Sequence, residues 1–177
     1  MDLLDFDAGP LYFDQPLAAE VGDLIRQASE HYPEPAAEAL LRQAQALAPE
    51  HLEVIVALYR FYFYQNRLDA ADQVADRALA LSAAPIGYPT DWRQLNPAHV
   101  RQGIEEDAGL ARFWLLALKA KAVLALRQLR IEDGIAMLSC IADVDERDRI
   151  GTRGLIEVAR IHASDNVISV DFAAQSA

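Results

Sequence analysis

Leu52–Pro85, LEVIVALYRFYFYQNRLDAADQVADRALALSAAP, reads as two amphipathic helices joined by a tight turn. The first apolar period ends at Tyr64-Gln65, and Asn66 suits a left-handed C-cap. Leu68 to Leu81 then resumes the helical period. Slid back along the chain by its own length, the stretch finds a copy of itself. Val21 falls on Ile55, Leu24 on Leu58 and Ala28 on Tyr62; Ala37 falls on Ala71, Ala44 on Ala78 and Leu47 on Leu81. A helix-turn-helix unit of about 34 residues in tandem is the signature of a helical repeat array.

The residues that recur carry a family resemblance. In tetratricopeptide repeats the first helix holds a large residue, Leu, a small residue and Tyr at fixed places. The second holds Ala, an aromatic, Ala and then Pro. Ile55, Leu58, Tyr59 and Tyr62 stand at the first four places, and Ala71, Ala75, Ala78 and Ala83 at the last four. The copy supplies Val21, Leu24, Ile25, Ala28, Ala37, Leu41, Ala44 and Pro49. The chain therefore resembles that family over residues 18–85. It departs from it where Ile25 and Tyr59 replace the small residue and Ala75 the aromatic. Small residues facing each other let paired helices approach, and large ones fill the gaps between ridges. The resemblance implies an all-α fold of antiparallel helix hairpins winding into a right-handed superhelix. An ordinary helical bundle is the alternative.

The composition agrees. At 177 residues and 53% apolar, the chain suits one domain with a sizeable core. The single Cys140 excludes an intramolecular disulfide, and its setting MLSCIA suggests an inert buried thiol. No uncharged apolar run reaches the length of about 18 residues that marks a membrane span. The opening MDLLDFD lacks the basic segment of a signal peptide, so the expectation is a cytoplasmic protein. A net charge of −11 disfavours nucleic acid and anionic membranes as partners.

Residues 1–16 read as an N-terminal arm, rich in Asp and broken by Gly9-Pro10 and Pro16. A helical domain spans 17–163, with repeats at 18–51 and 52–85. Residues 86–114 interrupt the array. Asn96-Pro97 should start a short helix there, and Trp92 could anchor the excursion to the core. From Glu105 or Glu106 a helix apolar on nearly every face should run to about Leu129. Aligning Gly134, Leu138 and Ile141 with Ala71, Ala75 and Ala78 gives a third, degenerate repeat over 115–148. In it Lys121 falls on a normally buried place. Residues 147–162 read as a C-terminal capping helix, which an open stack needs for solubility. The tail, 164–177, alternates briefly like a strand and reads as extended or disordered.

Little in the chain suggests chemistry. His31, His51, His99 and His162 lie in no ligand spacing, and no phosphate loop or nucleophile elbow occurs. The acidic runs Glu105–Asp107 and Asp143–Asp148 read as a solvated helix start and a polar turn. No metal, cofactor or catalytic residue is expected. The resemblance instead implies a ligand groove on the concave face of the first helices. Carried over residue by residue, its lining is Ala19, Gly22, Arg26, Ser29 and Glu30, then Glu53, Val56, Arg60, Phe63 and Tyr64, then Leu116, Lys119, Val123, Leu126 and Arg127. Arg26, Arg60, Lys119 and Arg127 would then stand along one face beside Phe63 and Tyr64. Such a face suits an acidic and apolar peptide. It differs from the Lys/Asn carboxylate clamp of chaperone-tail binders, because Gly22, Arg26, Val56 and Arg60 occupy the matching places. The expected function is a non-catalytic interaction module, an adaptor or assembly factor. The alternatives are a dedicated small chaperone, or a helical enzyme with a site around Trp92, His99 and Arg101. The acidic, aromatic arm is itself a candidate for the groove, in cis or across a homodimer.

Overall fold

A computed structural model of the chain describes residues 15–174, with side chains as far as Ala163. Within that range the chain is all-α. Ala19–Glu30 (α1) and Pro35–Leu47 (α2) form a first hairpin, and Leu52–Tyr64 (α3) and Leu68–Ala83 (α4) a second. Pro97–Arg127 (α5) and Ile131–Val144 (α6) form a third, and Arg153–Ala174 (α7) packs on α6. Each helix packs chiefly against its neighbours in sequence.

Local chemistry sets the boundaries. Pro35 opens α2, where its missing N–H costs nothing. The His51 ring accepts the amide of Glu53 at the start of α3. Asn66 adopts φ +57 after α3, and the Arg67 amide reaches back to the Tyr62 carbonyl. Leu129 adopts φ +61 after α5, and Arg130 reaches back to Ala125 in the same way. Asn96 caps α5 by accepting the amides of Ala98 and His99 at 2.9 and 3.2 Å.

α5 consists of two helical segments joined at Asp107, whose backbone (φ −157, ψ 98) leaves the helix. Its carboxylate accepts the Leu110 amide at 2.8 Å and so caps the second segment. The start expected at Glu105 or Glu106 thus falls just beyond them.

Two apolar clusters make the core. One joins α1, α2, α3 and α4 through Val21, Leu41, Leu58 and Tyr62, among others. The other joins α3, α4, α5 and α6 through Ile55, Trp114, Leu118, Leu138 and Ile141. α3 is buried toward both. Most of the residues that recur along the sequence are buried, although Leu47 is exposed. Ala37, Ala44 and Ala71 are fully enclosed, as are Leu118, Ala122 and Ala125 in the third hairpin. At Gly134 a Cβ would lie 2.6 Å from the Leu126 side chain and 3.0 Å from the Ala122 carbonyl. This hairpin therefore closes more tightly than an alanine would allow.

The 86–114 segment folds inward, with Ile86, Tyr88, Leu95 and Val100 buried. Its anchor is Tyr88, which lies against Gly103 and edge-on to Trp114 with centroids 5.1 Å apart. Trp92 is only partly buried. Arg93 lies over its ring, and its carbonyl accepts the Cys140 thiol at 3.2 Å.

The C-terminal reading needs correction. α7 begins at Arg153, not 147, because Asp148 (φ +50) and Gly151 (φ +73) turn the chain. The Asp148 carboxylate collects the Thr152 and Arg153 amides at the helix start. The segment expected to be extended or disordered is helical as far as Ala174, and the last three residues lie outside the described range. Of the N-terminal arm, only Gln15 and Pro16 lie within it.

Candidate functional site

The C-terminal halves of α1 and α3 lie side by side and leave a groove of about 500 Å³ between them. Ile25, Ala28, Ser29 and Tyr32 line it from α1 and the turn that follows, and Leu41 from α2. Ala57, Arg60, Phe61 and Tyr64 line it from α3. The groove exists because Ala28 and Ala57 are too small to fill the space that the flanking aromatics hold open. Tyr32 meets Phe61 edge-on at 6.2 Å. Tyr32 and Tyr64 are 44% and 48% exposed, so large apolar surface faces solvent at both walls.

The expected basic residues meet different fates. Arg60 lines the groove, is exposed, and makes no ion pair among the described residues. Arg26 is held on its own helix by Asp23 at 3.2 Å and Glu30 at 2.8 Å, and these bonds raise its pKa. It does not line the groove. Phe63 stacks on Tyr59 at 5.7 Å and meets Tyr64 edge-on at 5.6 Å. The Arg127 guanidinium lies 4.5 Å over the Phe63 ring and donates to Asn66 at 2.9 Å. Tyr64 thus belongs both to the groove and to an Arg127–Phe63 patch on the α5 side.

Lys119 is a correction. It is buried, and its ammonium donates to the Ile150 carbonyl at 2.5 Å. Burial lowers its pKa, opposed by the Asp148 carboxylate. The turn before α7 covers this side of α5, so Lys119 ties that turn down and cannot meet a ligand in the groove. Lys121, on the normally buried place, bridges Asp72 and Asp76 on α4 at 2.7 and 2.8 Å. The stripe of four cations is therefore reduced to Arg60 and Arg127.

Sequence reasoning missed Ile25, Tyr32 and Phe61. Ile25 is a bulky departure from the repeat pattern, and it lines the groove. Tyr32 sits in the turn between α1 and α2, outside the repeat positions that the resemblance assigns to the groove.

A second cleft, about 770 Å³, lies between α5, the end of α6 and the turn before α7. Val100, Ile104, Leu115 and Ile150 give it apolar walls, while Arg101, Arg147 and Arg149 share it with Asp143, Asp145 and Glu146. Arg101 opens on this cleft, and His99 Nδ1 is buried without a hydrogen-bond partner among the described residues. Burial pushes the Cys140 thiol up to about 11, well away from nucleophilic behaviour at neutral pH. Among the described residues no group of His, Cys, Asp and Glu could hold a metal ion, and no helix is long and apolar enough to cross a membrane.

These features define an all-α protein of consecutive helical hairpins with an aromatic-walled groove between its first and third helices. No family model matches the chain, and no solved structure matches it. The chain is 45% identical over 168 residues to the uncharacterized 19.8 kDa protein in the nifW 5′ region of Azotobacter chroococcum mcd 1, covering 95% of this chain and 94% of that one. It belongs to the same family as that protein.

Proposed function

We propose that this chain is a non-catalytic protein-interaction module, an adaptor or assembly factor of the cytoplasm. We read it as a tetratricopeptide-like array. The recurrence of buried small residues at Ala37, Ala71 and Gly134 and the shared left-handed turns at Asn66 and Leu129 support that arrangement. The groove between α1 and α3 takes an apolar segment of a partner protein that also carries a carboxylate. One observation carries this reading: a chain of net charge −11 leaves Arg60 without an ion pair among the described residues, on the edge of an apolar groove. Arginine pairs a carboxylate through two parallel hydrogen bonds, while the Tyr32 and Tyr64 rings give rigid contact at small entropic cost.

The test is a pull-down from native cytosol with wild type, Arg60→Glu and Arg26→Glu. Arg60→Glu should weaken a groove-bound partner by about tenfold or more, since it replaces attraction with like-charge repulsion. Arg26→Glu should change little, because Arg26 is already neutralised by Asp23 and Glu30. Equal retention by all three would move the site elsewhere. The relative's place in the nifW 5′ region makes the nifW product the first partner to assay directly.

A further inference from the structure

The groove and the chain's own first residues are complementary. Gln15, where the described chain begins, has its carbonyl 3.3 Å from His51 Nε2 at the start of α3. The arm therefore leaves at the N-terminal ends of α1 and α3. The groove lies toward their C-terminal ends, at Ile25–Tyr32 and Ala57–Tyr64. At a rise of about 1.5 Å per residue, Ile25 to Tyr32 lies roughly 9–20 Å beyond the start of α1. An extended chain covers about 3.3 Å per residue, so Leu11, Tyr12 and Phe13 reach at most the nearer part of the groove, while Leu3 to Asp7 can reach its far end at Arg60 and Tyr64. That reachable stretch reads LLDFD, apolar residues interleaved with acids, and residues 1–14 hold four Asp and no Lys or Arg.

We propose that Leu3–Asp7 occupies the α1/α3 groove of its own chain, with Phe6 and Leu4 against the apolar floor and an Asp carboxylate on Arg60, so that a partner must displace it. This rests on the groove being the partner site. Extended residues alternate sides, which puts Leu4 and Phe6 on one face. Tethering favours the cis arrangement: a short linker holds the segment at an effective concentration on the order of millimolar.

The test uses the full chain. In a Cys140→Ala background a nitroxide is placed at Ala8→Cys, beside the docking stretch but outside it, and the chain is labelled with nitrogen-15. Amide signals of Ser29, Ala57, Arg60 and Tyr64 should broaden selectively. Adding Arg60→Glu should shift the docked-to-free ratio about tenfold toward free and restore those signals, with circular dichroism unchanged. A second sample mixes nitroxide-bearing unlabelled chains with nitrogen-15 chains that carry none, and should show no broadening. Unbroadened groove signals in the first sample would overturn the proposal, as would broadening insensitive to Arg60→Glu. Broadening in the mixed sample as well as in the first would assign the groove to the arm of a second copy and overturn the cis arrangement. Arm docking fails alone if the pull-down depends on Arg60 while the nitroxide never reaches the groove. The partner site fails alone if the nitroxide reaches the groove while the captured partner ignores Arg60.

Discussion

Leu129 is 81% exposed and stands at φ +61, where a β-carbon crowds the following carbonyl. Asn66 fills the equivalent place after α3 with a residue that tolerates this conformation. The leucine gains no compensating burial, so Leu129→Gly should raise stability by about 0.5–1 kcal/mol, the strain relieved less the extra freedom glycine gains when unfolded. A urea midpoint that moves up without a change in slope would confirm it; an unchanged or lower midpoint would mean that Leu129 packs. Two residues show where single-residue reading stopped. The repeat register aimed Lys119 at the groove, but the turn at Asp148–Gly151 covers it, and nothing in the local sequence of α5 encodes that contact. Arg26 and Arg60 are equivalent by register. Only Arg26 has acids within reach on its own helix, at Asp23 and Glu30, and that difference was legible from spacing alone.

Between elements, Glu38 joins the first two hairpins. From α2 its carboxylate accepts Arg67 at 2.6 Å, the Tyr62 hydroxyl at 3.1 Å and Arg42 at 3.2 Å. The Arg67 bond, first, and those from Tyr62 and Arg42 hold its pKa below the ordinary 4.5. A carboxyl with a lowered folded pKa contributes its full stability above the unfolded value and loses it as pH falls through the folded one. Glu38→Gln should therefore cost about 1 kcal/mol near neutral pH, a modest sum because Arg67 and Arg42 are largely exposed. The difference from wild type should shrink in acid, as urea midpoints at the two pH values would show. A difference independent of pH would mean that the carboxylate charge is not involved. The helices were legible because alanine spacing, Asn96-Pro97 and Asn66 all act within a turn or two. The break at Asp107 was legible to within a residue or two from the acidic triplet, but not that the first segment bends into the second rather than stopping, since the triplet looks the same either way. The tail misled through the same locality: Ile168, Val170 and Phe172 alternate for a few residues, while the helix α7 runs on to Ala174.

For the whole molecule, the order of helices was legible in the sequence, but not which space between them stays open. That depends on how Ile25, Tyr32, Phe61 and Tyr64 divide a volume contributed by three helices, and no local pattern records it. The same packing has a consequence for how the chain comes apart. An array in which helices touch mainly their neighbours can unfold piecemeal from its ends. Here α3 supplies Leu58 and Tyr62 to one core cluster and Leu52 and Ile55 to the other, so neither can melt without stripping it. Both tryptophans, Trp92 and Trp114, pack in the second cluster, so tryptophan fluorescence reports that half alone, while far-ultraviolet ellipticity reports every helix. The two denaturation curves should superimpose. If ellipticity fell first, the α1–α2 hairpin would be a separately melting unit, and the groove wall would dissolve before the molecule does.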